Sequence, residues 1–127
     1  ESFYFLGLNI KFRGDEVTIS QESLIEKVLV KFDMRDCAPK QIPMQPKLIL
    51  EKAEVIDESV PYKEMIGCLM YLSLGTRPDI CYPVTYFSRF QNCYNTSHYA
   101  NLKNVVRYLK ATKNYVLKFI KIGSGEF

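Results

Sequence analysis

The sequence predicts an α+β protein that is mainly helical, with an N-terminal β-hairpin, a bundle of about four helices and a terminal strand. Three observations support this prediction. The first twenty residues alternate apolar and polar side chains around a turn-like segment, as hairpins do. Much of the remaining chain repeats apolar residues at helical spacing. A chain of 127 residues, 47% of them hydrophobic, is long enough for one small domain with its own core.

The hairpin is predicted over residues 1–20. The stretch 3–12 is rich in aromatic and aliphatic residues, 13–16 is typical of a turn, and the alternation resumes over 17–20. Gly7 would lie inside the first strand, where glycine is unfavourable unless a bulge or the close approach of a flat group requires it. The alternative is that a neighbouring side chain packs over Gly7.

The helical region is predicted over residues 21–114. Ser20 is placed to cap a first helix over 21–33, whose apolar residues share one face. Four prolines interrupt the stretch 37–61, which predicts a long surface loop. We expect part of this loop to be ordered by the apolar side chains Ile42, Met44, Leu48 and Leu50.

A second helix is predicted from Pro61 to about Leu74, with Ser59 as its cap. Its apolar residues fill most of its circumference, so it should be buried on most sides. We expect the centre of the core to be formed by Met65, Ile66, Leu69 and Leu72.

Three further elements complete the predicted fold. The motif Arg77-Pro78-Asp79 opens a third helix, which we expect Asp79 to cap. The last helix is predicted over 98–112. An extended segment over 115–122 follows, as a strand without a visible partner, in a C-terminal region of residues 115–127.

Charge is distributed unevenly along the chain. Residues 1–76 carry nine Lys/Arg and twelve Asp/Glu, a net −3, whereas residues 77–127 carry eight Lys/Arg and two acids, a net +6. A basic half indicates a polyanionic partner, with nucleic acid as the first candidate. The alternative is chance clustering on a solvated surface.

The second helix carries a candidate contact stripe for nucleic acid. Lys63, Gly67 and Tyr71 follow one another at four-residue steps, so they share one face. A small residue between a cation and a phenol could admit a nucleic-acid backbone. The alternative is that Gly67 lets another helix pack closely.

The last helix carries a second candidate stripe. Lys103, Arg107 and Lys110 cluster on one face and could contact successive phosphates, unless that face is only solvated. Because each neutralised phosphate contributes about −0.9 to the slope of log affinity against log salt, replacing all three cations by alanine is expected to reduce that slope by about two to three units.

Motifs for catalysis are missing from the sequence. It contains no Gly-rich phosphate loop, no Gly-x-Ser-x-Gly, no His-Glu-x-x-His and no Asp-Asp pair to hold two divalent ions. His98 with Cys93 would make only half of a metal site. We therefore predict no catalytic residue and no metal site, and expect His98 to be an ordinary polar residue.

The four cysteines form no Cys-x-x-Cys pair. We predict reduced, buried thiols in an intracellular protein, cytoplasmic or nuclear, rather than an extracellular disulfide framework. No leader for secretion is visible, and no apolar run approaches the roughly 20 residues of a membrane helix. A membrane is therefore not expected as a partner.

Several motifs, in order along the chain, resemble those of copia-type retrotransposon reverse transcriptases. Residues 5–10 (FLGLNI) resemble the family's F-L-G-x-x-I, and residues 62–72 (YKEMIGCLMYL) resemble Y-R-x-L-I-G-S-L-x-Y-L. Residues 75–80 (GTRPDI) are similar to x-T-R-P-D-I, the most specific of these motifs. Residues 88–90 (SRF) and 106–112 (VRYLKAT) are similar to S-R-F and V-L-R-Y-L-K-G-T, with alanine where glycine is usual.

The resemblance implies a segment of a Pol polyprotein that lies between the Y-V-D-D motif of the RNA-directed DNA polymerase and its RNase H. Such a segment is non-catalytic and has no cofactor of its own, although Mg²⁺ is expected in the parent polymerase. By position, residues 1–20 would be the primer grip, residues 21–114 the thumb or connection, and residues 115–127 a strand toward RNase H with a linker-like tail. The alternative is a domesticated copia-derived module that binds nucleic acid or protein.

The implied partners are an RNA–DNA or DNA duplex and the palm and RNase H regions of the parent polyprotein. Motif and pattern together assign the following residues to nucleic-acid binding: Phe5, Leu6, Gly7, Lys63, Gly67, Tyr71, Arg77, Arg89, Lys103, Arg107 and Lys110.

Overall fold

The computed structural model describes residues 2–5 and 7–122 of the chain. Its strands form one antiparallel sheet in the order β1-β2-β3-β4. With four α-helices, the protein is α+β and mainly helical, as the sequence predicts. The strands are β1 (Ser2–Phe5), β2 (Leu8–Arg13), β3 (Glu16–Ser20) and β4 (Leu117–Ile120).

The predicted first strand over 3–12 is in fact two strands joined by a tight turn. Phe5 pairs with Leu8, so the connection contains two residues. Gly7 has a φ of +83°, a left-handed conformation that two-residue hairpin turns favour and that glycine adopts without a Cβ clash. The prediction that Gly7 lies inside a strand is therefore wrong. Leu6 and the tail Gly123–Phe127 lie outside the described residues.

The C-terminal strand has a partner, contrary to the sequence prediction. In β4, Leu117 pairs with Ile19 and Phe119 pairs with Val17 of β3. An ion pair of 3.3 Å between Lys118 Nζ and Glu16 Oε1 accompanies this pairing. Both ends of the described chain therefore belong to one sheet, and the pairing of β3 with β4 is a long-range contact that no local pattern reveals.

One face of the sheet is apolar. Because side chains alternate between the faces of a strand, the register places one set of apolar residues on the same side. Phe12 is 44% and Phe119 49% exposed at the margin of this face, and Val17 is buried near its middle. None of the set belongs to the helical core. We call these residues the apolar sheet face: Leu8, Ile10, Phe12, Val17, Ile19, Leu117 and Phe119.

The helices enclose a separate core. The predicted centre of this core is confirmed, because Met65, Leu69 and Leu72 are fully buried and Ile66 is 3% exposed. Side chains from the other helices pack around this centre. The helices are α1 (Glu22–Lys31), α2 (Tyr62–Gly75), a short 3₁₀ helix (Pro78–Ile80), α3 (Cys81–Ser88) and α4 (Thr96–Ala111).

The three helix caps predicted from the sequence are wrong. Ser20 is the last residue of β3, and the hydroxyl of Ser59 donates to Asp57 Oδ1 before α2 begins. No side chain caps the 3₁₀ helix or α3, and Asp79 binds Arg77 instead. A polar residue near a predicted helix start has several possible partners, and tertiary contacts decide among them.

The last helix has a cap that the sequence analysis missed. Asn95 Oδ1 accepts hydrogen bonds from the backbone N–H of Ser97 at 3.0 Å and of His98 at 3.2 Å. In return, the backbone N–H of Asn95 donates to His98 Nδ1 at 3.1 Å. His98 thus fills the position that Glu or Gln takes in a capping box, and it is buried, at 2% exposed, whereas the sequence predicted an ordinary polar residue.

Residues 32–61, which we call the α1–α2 loop, contain no helix or strand, as predicted. The loop runs along α4. The backbone N–H of Lys40 donates to the carbonyl oxygen of Arg107 at 3.3 Å, near the end of α4. His98 Nε2 donates to the carbonyl oxygen of Glu51 at 2.7 Å, near its beginning. The loop is therefore a strap across the last helix.

Apolar side chains anchor part of the α1–α2 loop, as predicted. Met44, Leu48 and Leu50 are partly buried and pack against the core. The prediction for Ile42 is wrong, because this side chain is 49% exposed.

The cysteines are free thiols but are not all buried. Cys81 is exposed at the start of α3, contrary to prediction, because it lies on the side of the helix away from the core. The other three are half-buried. Over residues 2–5 and 7–122, no helix is long and apolar enough to cross a membrane.

Candidate nucleic-acid interface

Two of the predicted contact residues, Gly67 and Tyr71, line one groove, and a third, Gly7, lies beside Tyr71. The groove lies between the β1–β2 turn and α2 and has a volume of about 540 Å³. A Cβ atom on Gly7 would lie 4.0 Å from Tyr71 Oη, so the turn sits directly beside the phenol. The residues lining the groove are Leu8, Gln21, Gly67, Met70, Tyr71, Leu74 and Gly75.

Gln21 is a groove residue that the sequence analysis missed. Its side chain is 2% exposed, and Oε1 accepts from the backbone N–H of Thr76 at 2.9 Å and from the Thr76 hydroxyl at 2.8 Å. Its Nε2 is buried without a hydrogen-bond partner. An unpaired buried donor costs about 1–3 kcal/mol, so this amide is an exception that calls for an explanation.

Gly75 makes room for this glutamine. A Cβ atom at position 75 would lie 2.5 Å from Gln21 Oε1 and 2.6 Å from Nε2. Any side chain at this position would therefore push Gln21 away from Thr76. Gly75, the glycine of the GTRPDI motif, therefore leaves room for Gln21 in the wall of the groove. It is also the last residue of α2.

The α2 stripe is open to solvent over the groove. Lys63 and Gly67 are exposed, and Leu74 is 77% exposed. A Cβ atom on Gly67 would meet nothing within 4 Å. The alternative that Gly67 serves close helix packing is therefore excluded among the residues described. Glycine inside a helix is unfavourable by about 1 kcal/mol relative to alanine, and no packing within the described chain offsets that cost.

Arg77 is a structural residue rather than a surface contact. It is 1% exposed, and its guanidinium spans the start of the 3₁₀ helix and the end of α4. Nε and Nη2 donate to the two carboxylate oxygens of Asp79 at 3.1 and 2.8 Å. Nη1 donates to the carbonyl oxygen of Thr112 at 3.0 Å. These bonds occupy the guanidinium, so the structure does not support Arg77 as a nucleic-acid contact.

Contacts with Arg77 and Tyr108 keep the carboxyl group of Asp79 ionised. Burial alone would raise the pKa of Asp79, but hydrogen bonds from Arg77 and Tyr108 outweigh it and hold the pKa below the ordinary value of 3.8. The Tyr108 hydroxyl donates to Asp79 Oδ2 at 2.6 Å. The carboxylate thus joins α4 to the start of α3 in its ionised form.

Acid is expected to weaken this link. Because the folded-state pKa is below the unfolded one, the stabilisation from Asp79 is complete above pH 3.8 and is lost as the pH falls through the folded-state value. Asp79→Asn should therefore show a smaller drop in the free energy of unfolding between pH 5 and pH 3 than the wild type, as measured by urea denaturation. Tyr108→Phe should lie between the two. An equal drop in all three proteins would contradict this assignment.

The cations of α4 are less open than the sequence suggests. Lys110 Nζ donates to the carbonyl oxygens of Arg35 and Cys37, both at 2.6 Å, and so fastens the α1–α2 loop. Arg107 Nη1 donates to Asn104 Oδ1 at 2.9 Å, and its Nε is buried without a partner. The structure does not support Lys110 as a phosphate contact, because loop carbonyls already occupy its ammonium group.

The remaining predicted cations are more accessible. Lys103 is half-buried, with Nζ 5.1 Å from the centre of the Tyr99 ring. Arg89 is exposed, with Cζ 5.6 Å from the centre of the Tyr86 ring. Phe5 ends β1, but its side chain lies outside the described part of the structure. In the described residues, no three His, Cys, Asp or Glu side chains cluster so as to hold a metal ion.

Comparison with known proteins identifies relatives along most of the chain. The chain is 34% identical to a retrovirus-related Pol polyprotein from transposon RE1 of Arabidopsis thaliana, over 98% of its own length and 8% of that protein. It is 36% identical to the Pol polyprotein from transposon TNT 1-94 of Nicotiana tabacum, over 80% of its length and 8% of that protein. It is also 35% identical to an uncharacterized mitochondrial protein of A. thaliana, over 86% of its length and 45% of that protein.

The chain thus spans less than a tenth of the two polyproteins. No family model matches it, and no solved structure is significantly similar to it. The similarity nevertheless extends through the hairpin, the loop and all the helices described above. This extent shows that the chain belongs to the family of Pol polyproteins of copia-type retrotransposons and corresponds to one segment of them.

Proposed function

We propose that this segment holds the template–primer duplex of a copia-type RNA-directed DNA polymerase. The observation that carries the proposal is that Gly67 and Tyr71 line one groove beside the turn at Gly7, with Lys63 one turn away on α2. Gly7 is distant in sequence from the α2 residues, and all four belong to the contacts predicted from the sequence. Under this proposal, Mg²⁺ and the carboxylates that hold it belong to the parent polymerase outside this segment.

The exposed cations support a backbone contact. The Tyr62 hydroxyl donates to the carbonyl oxygen of Phe87 at 2.6 Å, which brings the beginning of α2 to the end of α3. Lys63 and Arg89 therefore lie at the same end of this helix pair. Cations at such positions bind phosphates and fix the position of a duplex without reading its sequence. Lys103, on α4, is the third candidate.

Duplex binding is the test of this proposal. A labelled RNA–DNA duplex should bind at low salt without sequence preference, as measured by fluorescence anisotropy over a range of KCl concentrations. Replacing Lys63, Arg89 and Lys103 by alanine should reduce the log–log salt slope by about two to three units, because each phosphate contact contributes about 0.9. Lys110→Ala should leave the slope unchanged, since its ammonium group binds the loop.

Matched controls come from α1. Lys27 and Glu22 are both exposed on this helix, so Lys27→Ala and Glu22→Ala change the charge outside the proposed surface. Glu26 is less suitable as a control because it forms an ion pair with Lys113. Binding whose slope is the same in the triple variant as in the wild type would assign the interface to other residues.

A second candidate function is a protein-interaction module. The apolar sheet face favours it, because Phe119 is half-exposed and none of the residues of that face belongs to the helical core. Antiparallel sheets normally bury one face, and exposed apolar patches mark interaction sites. Undetectable duplex binding at low salt would favour this function over the first.

A further inference from the structure

Strand β4 leaves one edge of the sheet open. It is the last strand in the sheet order, and within residues 2–5 and 7–122 no other strand pairs with its outer side. The backbone N–H of Lys121 donates to the carbonyl oxygen of Asp15 at 2.8 Å, so the odd-numbered residues of β4 direct their backbone groups towards β3. Because this direction alternates along a strand, the N–H and C=O groups of Lys118 and Ile120 point outwards, where a further strand can bind them.

The side chains of β4 do not protect this edge. Ile120 is 57% exposed on one face of the strand and Phe119 is 49% exposed on the other, and Val116, just before the strand, is 47% exposed. The strand contains no proline and no bulge, and its lysine, Lys118, is engaged with Glu16 Oε1 at 3.3 Å. Proline, bulges and free charges are the usual devices that keep exposed edges apart. An open apolar edge without them is a binding surface for another strand.

The sequence around β4 is complementary to itself. Two copies of this strand can run antiparallel with Phe119 opposite Phe119 of the second copy. Lys118 then lies opposite Ile120, and Lys121 lies opposite Leu117, so each lysine meets an aliphatic side chain. The outward backbone groups of Lys118 and Ile120 form a hydrogen-bonded pair. The two Phe119 residues form a non-hydrogen-bonded pair, in which side chains approach most closely and aromatic pairs are favourable.

Other registers of the two strands are less favourable. A slip of two residues in one direction places Lys118 opposite Lys118 of the second copy, and like charges directly opposite are destabilising. A slip of two residues in the other direction separates the Phe119 rings and places each opposite Lys121. A slip of one residue sets outward backbone groups against inward ones, so the hydrogen bonds are lost. The register centred on Phe119 is therefore the favoured one.

We propose that two copies of this chain associate by antiparallel pairing of their β4 strands, with Phe119 on the two-fold axis. The pairing joins two four-stranded sheets into one and sets the two apolar sheet faces side by side. It is isologous, so it closes at two copies. The paired strands are short and bury less than the roughly 1,600 Å² of a standard interface, so the dimer should be weak. No residue of β4 lines the groove, which makes the dimer independent of the proposed duplex contact.

The mass of the chain in solution tests this pairing, as measured by sedimentation equilibrium over about a hundredfold range of protein concentration. The weight-average mass should rise from 14.8 kDa at low concentration towards twice that value. A monomer throughout the range would overturn the pairing and leave the β4 edge to a strand of another protein. A mass above that of two copies would overturn the closed, two-fold arrangement.

Charge substitutions at Phe119 test the register. Phe119→Lys and Phe119→Glu each place two like charges opposite one another across the two-fold axis, so each variant alone should remain monomeric. An equimolar mixture of the two variants should dimerise, because opposite charges then meet at the same position. A mixture that stays monomeric would refute the register centred on Phe119. The control is Val30→Lys, at a position 59% exposed on α1, which should dimerise as the wild type does.

A backbone substitution separates the edge from the fold. Ile120→Pro removes an outward N–H and keeps the bonds of β4 to β3, since proline is tolerated on an edge strand where its nitrogen faces solvent. This variant should remain monomeric at every concentration, and its thermal denaturation midpoint at low concentration should stay close to that of the wild type. Dimerisation of Ile120→Pro with wild-type affinity would show that the β4 edge is not the interface.

Discussion

Replacing Arg77 by methionine is expected to lower the free energy of unfolding by about 3 kcal/mol, the lower end of what removal of one partner from a buried ion pair costs. The change removes the donors that bind both oxygens of Asp79 and the carbonyl oxygen of Thr112. The lower end applies because the Asp79 side chain is 36% exposed and regains some hydration. Urea denaturation with an unchanged m-value is the measurement.

The matched control is Arg89→Met. Arg89 is exposed and contacts only the Tyr86 ring among the interactions described for its side chain. Its loss should therefore cost less than about 1 kcal/mol. Equal effects of the two substitutions would refute the structural role of Arg77 and return it to the candidate interface.

The second large effect is expected in the core. Leu69 is fully buried in α2, among side chains of the other helices. Leu69→Ala should lower the free energy of unfolding by about 2–5 kcal/mol, because it removes buried methyl groups and leaves a cavity. Leu74→Ala is the control in the same helix, since Leu74 is 77% exposed, and it should change stability by less than about 0.5 kcal/mol. Similar losses of stability at both positions would mean that the face of α2 assigned to the core is incorrect.

Helices and loops that a local sequence pattern specifies were predicted well. The apolar spacing in α2 located the helix and the burial of Met65 and Leu69, because periodicity alone specifies which side of a helix is buried. The prolines of the α1–α2 loop likewise excluded regular structure there. Of the predicted contact residues, Gly67 and Tyr71 line the groove, because four-residue spacing places both on one face of α2.

The failures have a common physical cause, which is contact between residues distant in sequence. Lys110 belongs to a basic stripe by spacing, but its partners lie 73 and 75 positions earlier in the chain. Gln21 bonds Thr76 across 55 positions, and no periodic pattern marks it as a groove residue. The partner of β4 was missed for the same reason. The turn at Gly7 was missed for a different reason. A glycine at positive φ can form a turn without any of the polar residues that usually mark one.

The strap across α4 has a consequence for the order in which the nascent chain folds. A ribosome delivers residues 32–61 before Cys93, His98 and Lys110, which bind that stretch through the backbone of Ala53, Glu51 and Cys37. Until α4 emerges, the contacts of this loop with α4 cannot offset the entropy that its closure costs. Truncation before α4 would thus remove one helix and also unfasten a segment synthesised long before it.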